Sequence, residues 1–179
     1  LNEYDFEGKG KIKARINGRL SAENSIGIKS EFSLLNGSVT NKNTKSKLSH
    51  IGINGSFSGN NPKNYSLVIS QFESRLSTGT IHGKGSVKNL NRPDFAFEIY
   101  SSINLSNLNN FIDFKSVEFN SGSLIATLKA QGILTQTENP GFSDILSSIK
   151  SGSLEVDNGS LILKEQEYRL HDINGKINI

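Results

Sequence analysis

The sequence contains no cysteine and no tryptophan among its 179 residues. Without cysteine, a disulfide framework and a thiolate metal site are both excluded. Without tryptophan, and with four tyrosines that do not cluster, the exposed aromatic platform expected of a glycan-binding module is not indicated. No segment approaches the roughly 20 consecutive apolar residues of a membrane-spanning helix, and no signal peptide is recognisable.

Hydrophobic residues are also scarce, at 34% of the chain, and serine, asparagine and glycine are abundant. Such a composition can indicate disorder, but the apolar residues here are regularly placed. A thin sheet with one dry face and one wet face needs about this much apolar material. The net charge of +3 is small and the basic residues are dispersed, so nucleic acid is not expected as a partner.

Apolar and polar residues alternate along most of the chain, and this period of two predicts half-buried β-strands. We expect about ten or more strands, and therefore an all-β fold. The apolar positions of the alternating segments are Ile12, Ala14 and Ile16; Ile26, Ile28, Phe32 and Leu34; Leu67 and Ile69; Phe95, Phe97 and Ile99; Leu124, Ala126 and Leu128; Leu161 and Leu163; and Ile173 and Ile177.

Asn-Gly dipeptides recur between apolar segments. They occur at 17–18, 36–37, 54–55, 158–159 and 174–175. Asn-Gly favours a two-residue hairpin turn because both central residues of that turn need a positive φ angle. Five such turns predict a mostly antiparallel sheet in which each strand pairs with its neighbours in sequence.

Two segments, 104–114 and 141–150, follow helical spacing instead. Each is expected to form a short amphipathic helix that caps an open end of the sheet. Their apolar positions are Leu105, Leu108, Phe111 and Ile112 in the first, and Phe142, Ile145, Leu146 and Ile149 in the second.

The chain is interpreted as a single segment covering residues 1–179, with weak internal repeats and a second unit at about 94–179. The stretches at 122–128 and 152–156 share a Ser-Gly-Ser-Leu opening, and 82–87 resembles 6–12. Their spacing is not constant, so a solenoid with fixed rungs is not predicted. Because the sequence starts at Leu1 and stops at Ile179 within an apparent strand, we expect a fragment of a larger protein.

The histidines His50, His82 and His171 are the only candidates for a metal site. Three histidines can bind zinc with an open fourth position, but their spacing matches no ligand motif, and each is equally well explained as a surface residue.

Acid–base and phosphate-binding motifs are likewise incomplete. Asp172 beside His171, or Glu165 with Glu167, is more typical of the wet face of a strand than of an acid–base pair. The glycines at 8 and 10 and at 83 and 85 lack the rest of any phosphate-binding fingerprint and are expected to be structural. We therefore predict no enzymatic activity, no catalytic residue, no cofactor and no metal.

A row of basic residues, Lys9, Lys11, Lys13 and Arg15, occupies one face of the first predicted strand. It could face anionic lipid headgroups. Such a row is also typical of a solvated edge strand that is protected against aggregation.

In the second half of the chain, glycines and aliphatic residues at strand spacing form a longer pattern. The first half shows similar repeats but does not match this pattern in detail. Because of the pattern, the chain resembles the AsmA-like family of Gram-negative envelope proteins, relatives of TamB. The pattern runs through 94–100, Leu105-x-x-Leu108-x-x-Phe111, Gly122-x-Leu124-x-x-x-Leu128-x-x-x-Gly132, Gly152-x-Leu154-x-Val156-x-x-Gly159-x-Leu161-x-Leu163 and Leu170-x-x-Ile173-x-Gly175-x-Ile177.

The resemblance implies a long twisted sheet curled into an open, taco-like groove with an apolar interior. It also implies a periplasmic location, neighbouring repeats in the full-length chain, and an inner-membrane anchor outside this segment. The implied role is to carry phospholipid or another envelope lipid between the inner and outer membranes and to support outer-membrane integrity. The expected groove-lining residues are Ile28, Phe32, Leu67, Ile69, Phe95, Phe97, Ile99, Leu124, Leu128, Leu154, Leu161 and Leu163.

Other interpretations remain open at the level of the residues. The apolar faces could pack on each other in a closed β-sandwich, and the chain would then be a binding or adhesion module of an exported protein. Both ends of the sequence read as strands that lack a partner, so an edge-to-edge dimer of the segment is a further expectation.

Overall fold

The structure is a computed structural model that describes residues 3–18, 26–111, 116–133 and 149–179. Within these residues the chain forms nine strands and one helix. In chain order they are β1 (Tyr4–Asn17), β2 (Gly27–Asn41), β3 (Lys47–Gly59), β4 (Ser66–Leu76), β5 (Gly79–Lys88), β6 (Asp94–Asn104), α1 (Leu105–Phe111), β7 (Val117–Ile133), β8 (Ile149–Leu163) and β9 (Tyr168–Asn178).

The nine strands form one antiparallel sheet whose spatial order is the chain order. Strands β1 and β9 are its two edges, and they do not pair with each other, so the sheet is open. The predicted all-β, up-and-down antiparallel fold is confirmed. The alternative of a closed β-sandwich is wrong for the described residues, because every strand in them belongs to the same sheet.

The helical content is smaller than expected. Helix α1 lies within the predicted 104–114 segment, and its first turn is capped by the Asn104 side chain, whose Oδ1 accepts a hydrogen bond from the Ser106 backbone nitrogen at 2.9 Å. Most of the second segment, 141–148, lies outside the described residues. Its last two residues begin β8, where Ile149 pairs with Ala130 of β7. The prediction of two amphipathic helices is therefore not supported.

Four of the five Asn-Gly dipeptides lie inside strands rather than at hairpin turns, which corrects the prediction. In β2 and β8, Asn36 and Asn158 have φ angles of 52° and 51° and form β-bulges with the glycines that follow them. Asparagine tolerates this left-handed conformation, and a bulge needs it as much as a turn does. The connections between strands are made instead by residues 42–46, 60–65, 77–78, 89–93 and 164–167.

The register of the sheet places most of the apolar residues of the nine strands on the same side, here called the apolar face. One row crosses eight strands, through Ile12, Phe32, Gly55, Ile69, Gly85, Phe97, Ala130 and Ile149. The bulges keep this arrangement intact, because each adds one residue where the alternation would otherwise turn apolar side chains to the opposite, polar face.

Candidate functional site

All twelve residues predicted to line a groove lie on the apolar face, on strands β2, β4, β6, β7 and β8. Most of them are half-buried, Phe95 is buried at 7% exposure, and Ile99 is exposed at 37%. The described residues contain no second sheet that would cover this face. The sequence prediction therefore identified residues that share one surface, and whether lipid occupies that surface remains a prediction.

Large and small residues alternate across the strands of the apolar face. A Cβ built on Gly55 would collide with the ring of its partner Phe32, and one built on Gly85 would lie 3.2 Å from the Cβ of Phe97. The rings of Phe95 and Phe97 are stacked along β6, with their centroids 6.1 Å apart. Because glycine has no side chain, the neighbouring aromatic rings pack flat against the sheet at these positions. The apolar surface is therefore nearly continuous and does not project far from the backbone.

The apolar face reaches both free edges of the sheet. In β1, Ile12 and Ile16 are 79% and 67% exposed, and in β9, Ile177 is 63% exposed. Contact between these large aliphatic side chains and water is unfavourable in free energy, and exposed apolar surface of this kind commonly marks an interaction site. An apolar ligand or a further strand would reduce that cost.

Several residues of the apolar face were missed by the sequence analysis. They interrupt or extend the obvious alternating segments, and the glycines and bulges around them hide the period of two. They are Leu48, Ile51, Ile53, Phe57, Phe72, Leu76, Ile81, Val87, Ile103 and Ala130.

Ser74 is a polar residue that lies among these apolar neighbours. Its side chain points to the apolar face, opposite Ile81, and it is only 3% exposed. Its Oγ is buried without a hydrogen-bond partner in the described part of the chain. An unsatisfied hydroxyl costs free energy in such a place, so the surroundings of Ser74 are suited to an apolar side chain.

The polar face carries ion pairs instead. The Glu98 carboxylate bridges the Lys84 and Lys129 ammonium groups at 3.1 and 3.5 Å, across three adjacent strands. The hydrogen bond from Lys84, together with the charge of Lys129, holds the pKa of Glu98 below its ordinary value of 4.5. Lys176 and Glu155 form a similar pair at 3.2 Å between β9 and β8.

A shallow cavity of about 440 Å³ also lies on the polar face, around these ion pairs. Ten of its lining residues come from strands β4 to β8 and occupy polar-face positions: Val68, Ser70, Lys84, Ser86, Ala96, Glu98, Lys129, Gln131, Lys150 and Ser151. Four residues of the apolar-face row, Ile69, Gly85, Phe97 and Ala130, also line it, so the cavity borders two of the twelve predicted groove-lining residues, Ile69 and Phe97.

The basic row lies on the polar face of β1, where Lys9, Lys11, Lys13 and Arg15 are all exposed. None of the four forms an ion pair within the described ranges. In the same strand, the side chains between them belong to the apolar face. This edge strand is therefore basic on one side and apolar on the other.

The three histidines that were candidate metal ligands do not lie close together. His50, His82 and His171 lie on three separate strands, β3, β5 and β9. His50 occupies a bulge with a φ angle of 52° and contacts Ser49 Oγ through Nδ1 at 3.1 Å. Among the residues that the structure describes, no group of three or more His, Cys, Asp or Glu side chains is placed to hold a metal ion.

The described residues also contain no helix that is long and apolar enough to cross a membrane. No protein-family model, curated protein or solved structure matches the chain. The resemblance to AsmA-like proteins therefore stays a prediction, and the arrangement of the sheet is the basis for a functional proposal.

Proposed function

We propose that this chain is a non-enzymatic segment of a bacterial envelope protein that accommodates phospholipid acyl chains on its apolar face. In this proposal the sheet is curled into an open groove, and the full-length protein is anchored in the inner membrane. The segment lies in the periplasm, where it helps to carry lipid between the inner and outer membranes and so supports outer-membrane integrity.

One observation carries the proposal: the register brings most of the apolar residues of nine strands onto one face, and the described residues provide no second layer to cover it. Acyl chains placed on such a surface remove apolar area from water on both sides, worth roughly 25 cal/mol for each Å² buried. Binding of this kind needs no reactive group, and no single side chain is expected to be essential.

The sheet also has the means to curl. Bulges occur near both edges of the sheet, at Asn36 in β2 and at Asp172 in β9. Bulges increase the local bend and twist of a strand, and adjacent strands are twisted relative to each other in any open sheet. In the proposal, lipid headgroups remain at the open side in contact with water.

The test is native mass spectrometry of the purified chain, followed by organic extraction and identification of bound molecules. We expect co-purified phospholipid, or uptake of phospholipid added from vesicles. A chain that purifies without lipid and takes up none would contradict the proposal. That outcome would favour a binding or adhesion module that uses the polar face.

A further inference from the structure

Three strands at one edge of the sheet repeat three strands at the other edge. Non-glycine residues with positive φ occur at Asn36, Lys45 and His50, with angles of 52°, 60° and 52°. They recur, with angles of 51°, 56° and 56°, at Asn158, Glu167 and Asp172. From 36 to 158, from 45 to 167 and from 50 to 172, the shift along the chain is 122 positions each time.

The pairing register repeats with the same shift, so the correspondence is not confined to backbone angles. The pairs of β2 and β3 around the bulges have direct counterparts in β8 and β9. They are Leu34 with Ile53, Gly37 with Ile51, and Val39 with Leu48, matched by Val156 with Gly175, Gly159 with Ile173, and Leu161 with Leu170.

The strand preceding each pair corresponds as well. A Cβ built on Gly8 of β1 would lie 3.0 Å from the Cα of Gly37, and one built on Gly122 of β7 would lie 2.5 Å from the Cα of Gly159. In both places a glycine lets the neighbouring bulge approach closely. Strands β7, β8 and β9 therefore repeat β1, β2 and β3, and β9 corresponds to β3.

The two corresponding strands differ in what lies beyond them. Strand β3 pairs with β2 on one side and with β4 on the other, whereas β9 pairs with β8 and is an edge of the sheet. A bulge in an edge strand usually discourages further pairing. The bulge at His50, however, does not prevent β3 from pairing with β4, since Ser49 faces Arg75 and Gly52 faces Glu73 on either side of it.

We infer that the free edge of β9 is a docking site for an antiparallel strand, in the register with which β4 pairs with β3. This inference rests on the fold alone and is independent of the proposed lipid binding. The occupant is an extended segment with apolar residues at alternate positions, so that the apolar face continues across it.

Two positions define the occupant further. A Cβ built on Gly175 meets no atom of the described residues within 4 Å, so the surface they form is open there, whereas the corresponding Ile53 of β3 faces Phe72 of β4. An aromatic residue opposite Gly175 would cover this opening. Opposite Asn174 the occupant needs a small residue, because in β4 the Glu73 carboxylate fills the space above Gly52, the counterpart of Asn174.

The absence of native cysteine allows a cross-linking test. The probe is a synthetic peptide of residues 64–78, which contains β4, with Glu73→Ser and Arg75→Cys. Because Ser49 pairs with Arg75, its counterpart His171 should pair with peptide position 75. We expect the His171→Cys chain to form about fivefold more disulfide with this peptide than with a peptide that has cysteine at position 74 instead, which points to the opposite face.

Two controls decide the result. The chain with Ser49→Cys and Arg75→Cys should form an internal disulfide, which shows that this pairing geometry permits the bond. The Ser49→Cys chain should not react with the peptide, since reaction there would mean that the peptide displaces β4. Equal cross-linking at positions 74 and 75, no cross-linking at His171→Cys, or disulfide-linked dimers of the His171→Cys chain in place of the peptide adduct would each overturn the inference.

Discussion

Phe32 of β2 lies over Gly55 of β3, its partner in the sheet, and the aromatic ring occupies the space that a side chain at position 55 would need. Gly55 is in turn paired on its other side with Ile69 of β4. Large residues thus flank a glycine in the same row, and the apolar face stays low although its side chains are aromatic and branched.

Gly55→Ala is expected to destabilise the protein by about 1–3 kcal/mol, because the added methyl group meets both the Phe32 ring and the Val68 carbonyl oxygen, and the backbone oxygen cannot move aside easily. The matched control is Gly175→Ala, where a Cβ has open space and the change should stay within about 0.5 kcal/mol. Urea denaturation of both variants measures the difference, and equal losses of stability would contradict the packing described for Phe32.

Ser74→Ala is expected to stabilise the fold by about 1 kcal/mol, because it removes a buried hydroxyl that has no hydrogen-bond partner among the described residues. Ser38→Ala should have the opposite sign, since Ser38 Oγ donates a hydrogen bond to Glu7 Oε2 at 3.1 Å. Thermal denaturation of the two variants provides the comparison. A loss of stability in Ser74→Ala would show that the hydroxyl is satisfied in solution.

Ile99→Asp and Tyr100→Asp separate the two faces of the sheet. The two residues are adjacent in β6, have similar exposures of 37% and 45%, and point to the apolar and the polar face respectively. If acyl chains lie on the apolar face, Ile99→Asp should lower phospholipid uptake severalfold, and Tyr100→Asp should leave it nearly unchanged. Native mass spectrometry measures uptake, and circular dichroism verifies that both variants remain folded. Similar uptake by both variants would count against lipid binding on the apolar face.

The ion pairs of Glu98 should contribute to stability in a pH-dependent manner. Because folding lowers the pKa of Glu98 from 4.5, the contribution is fully present above that ordinary value and is lost as the pH falls through the lowered pKa. At low salt, the wild type should therefore be more stable than Glu98→Gln at pH 7, and the difference should disappear in strong acid. Since all three side chains are exposed, we expect the effect at pH 7 to be small and to weaken with added salt. An unchanged difference in acid would contradict this assignment.

The sequence alone was sufficient to predict the all-β fold, the antiparallel order of the strands and a common face for the twelve apolar residues. These follow from the period of two, because successive side chains of a strand must point to opposite faces whatever the strand packs against. The same local rule identified the edge row of Lys9, Lys11, Lys13 and Arg15 as a single face.

Other features depended on pairing between distant residues. Asn36 and Asn158 adopt the left-handed conformation that their sequence favours, but only the neighbouring strands decide whether it serves a turn or a bulge. Ile149 fits a helical pattern in the sequence, yet in the structure it pairs with Ala130 of β7 and belongs to a strand.

The repeat of β1 to β3 in β7 to β9 is also a property of the tertiary structure. Around its bulges the two copies share Asn-Gly-Ser at 36–38 and 158–160 and three single residues, Lys42 with Lys164, Leu48 with Leu170, and Ile51 with Ile173. These identities are scattered, whereas the backbone angles and the register repeat throughout. Many sequences are compatible with that geometry, so it cannot be read from local sequence. Local sequence determines where the strands lie and to which face their side chains point. The hydrogen bonds between strands determine the bulges, the register and which edges are free.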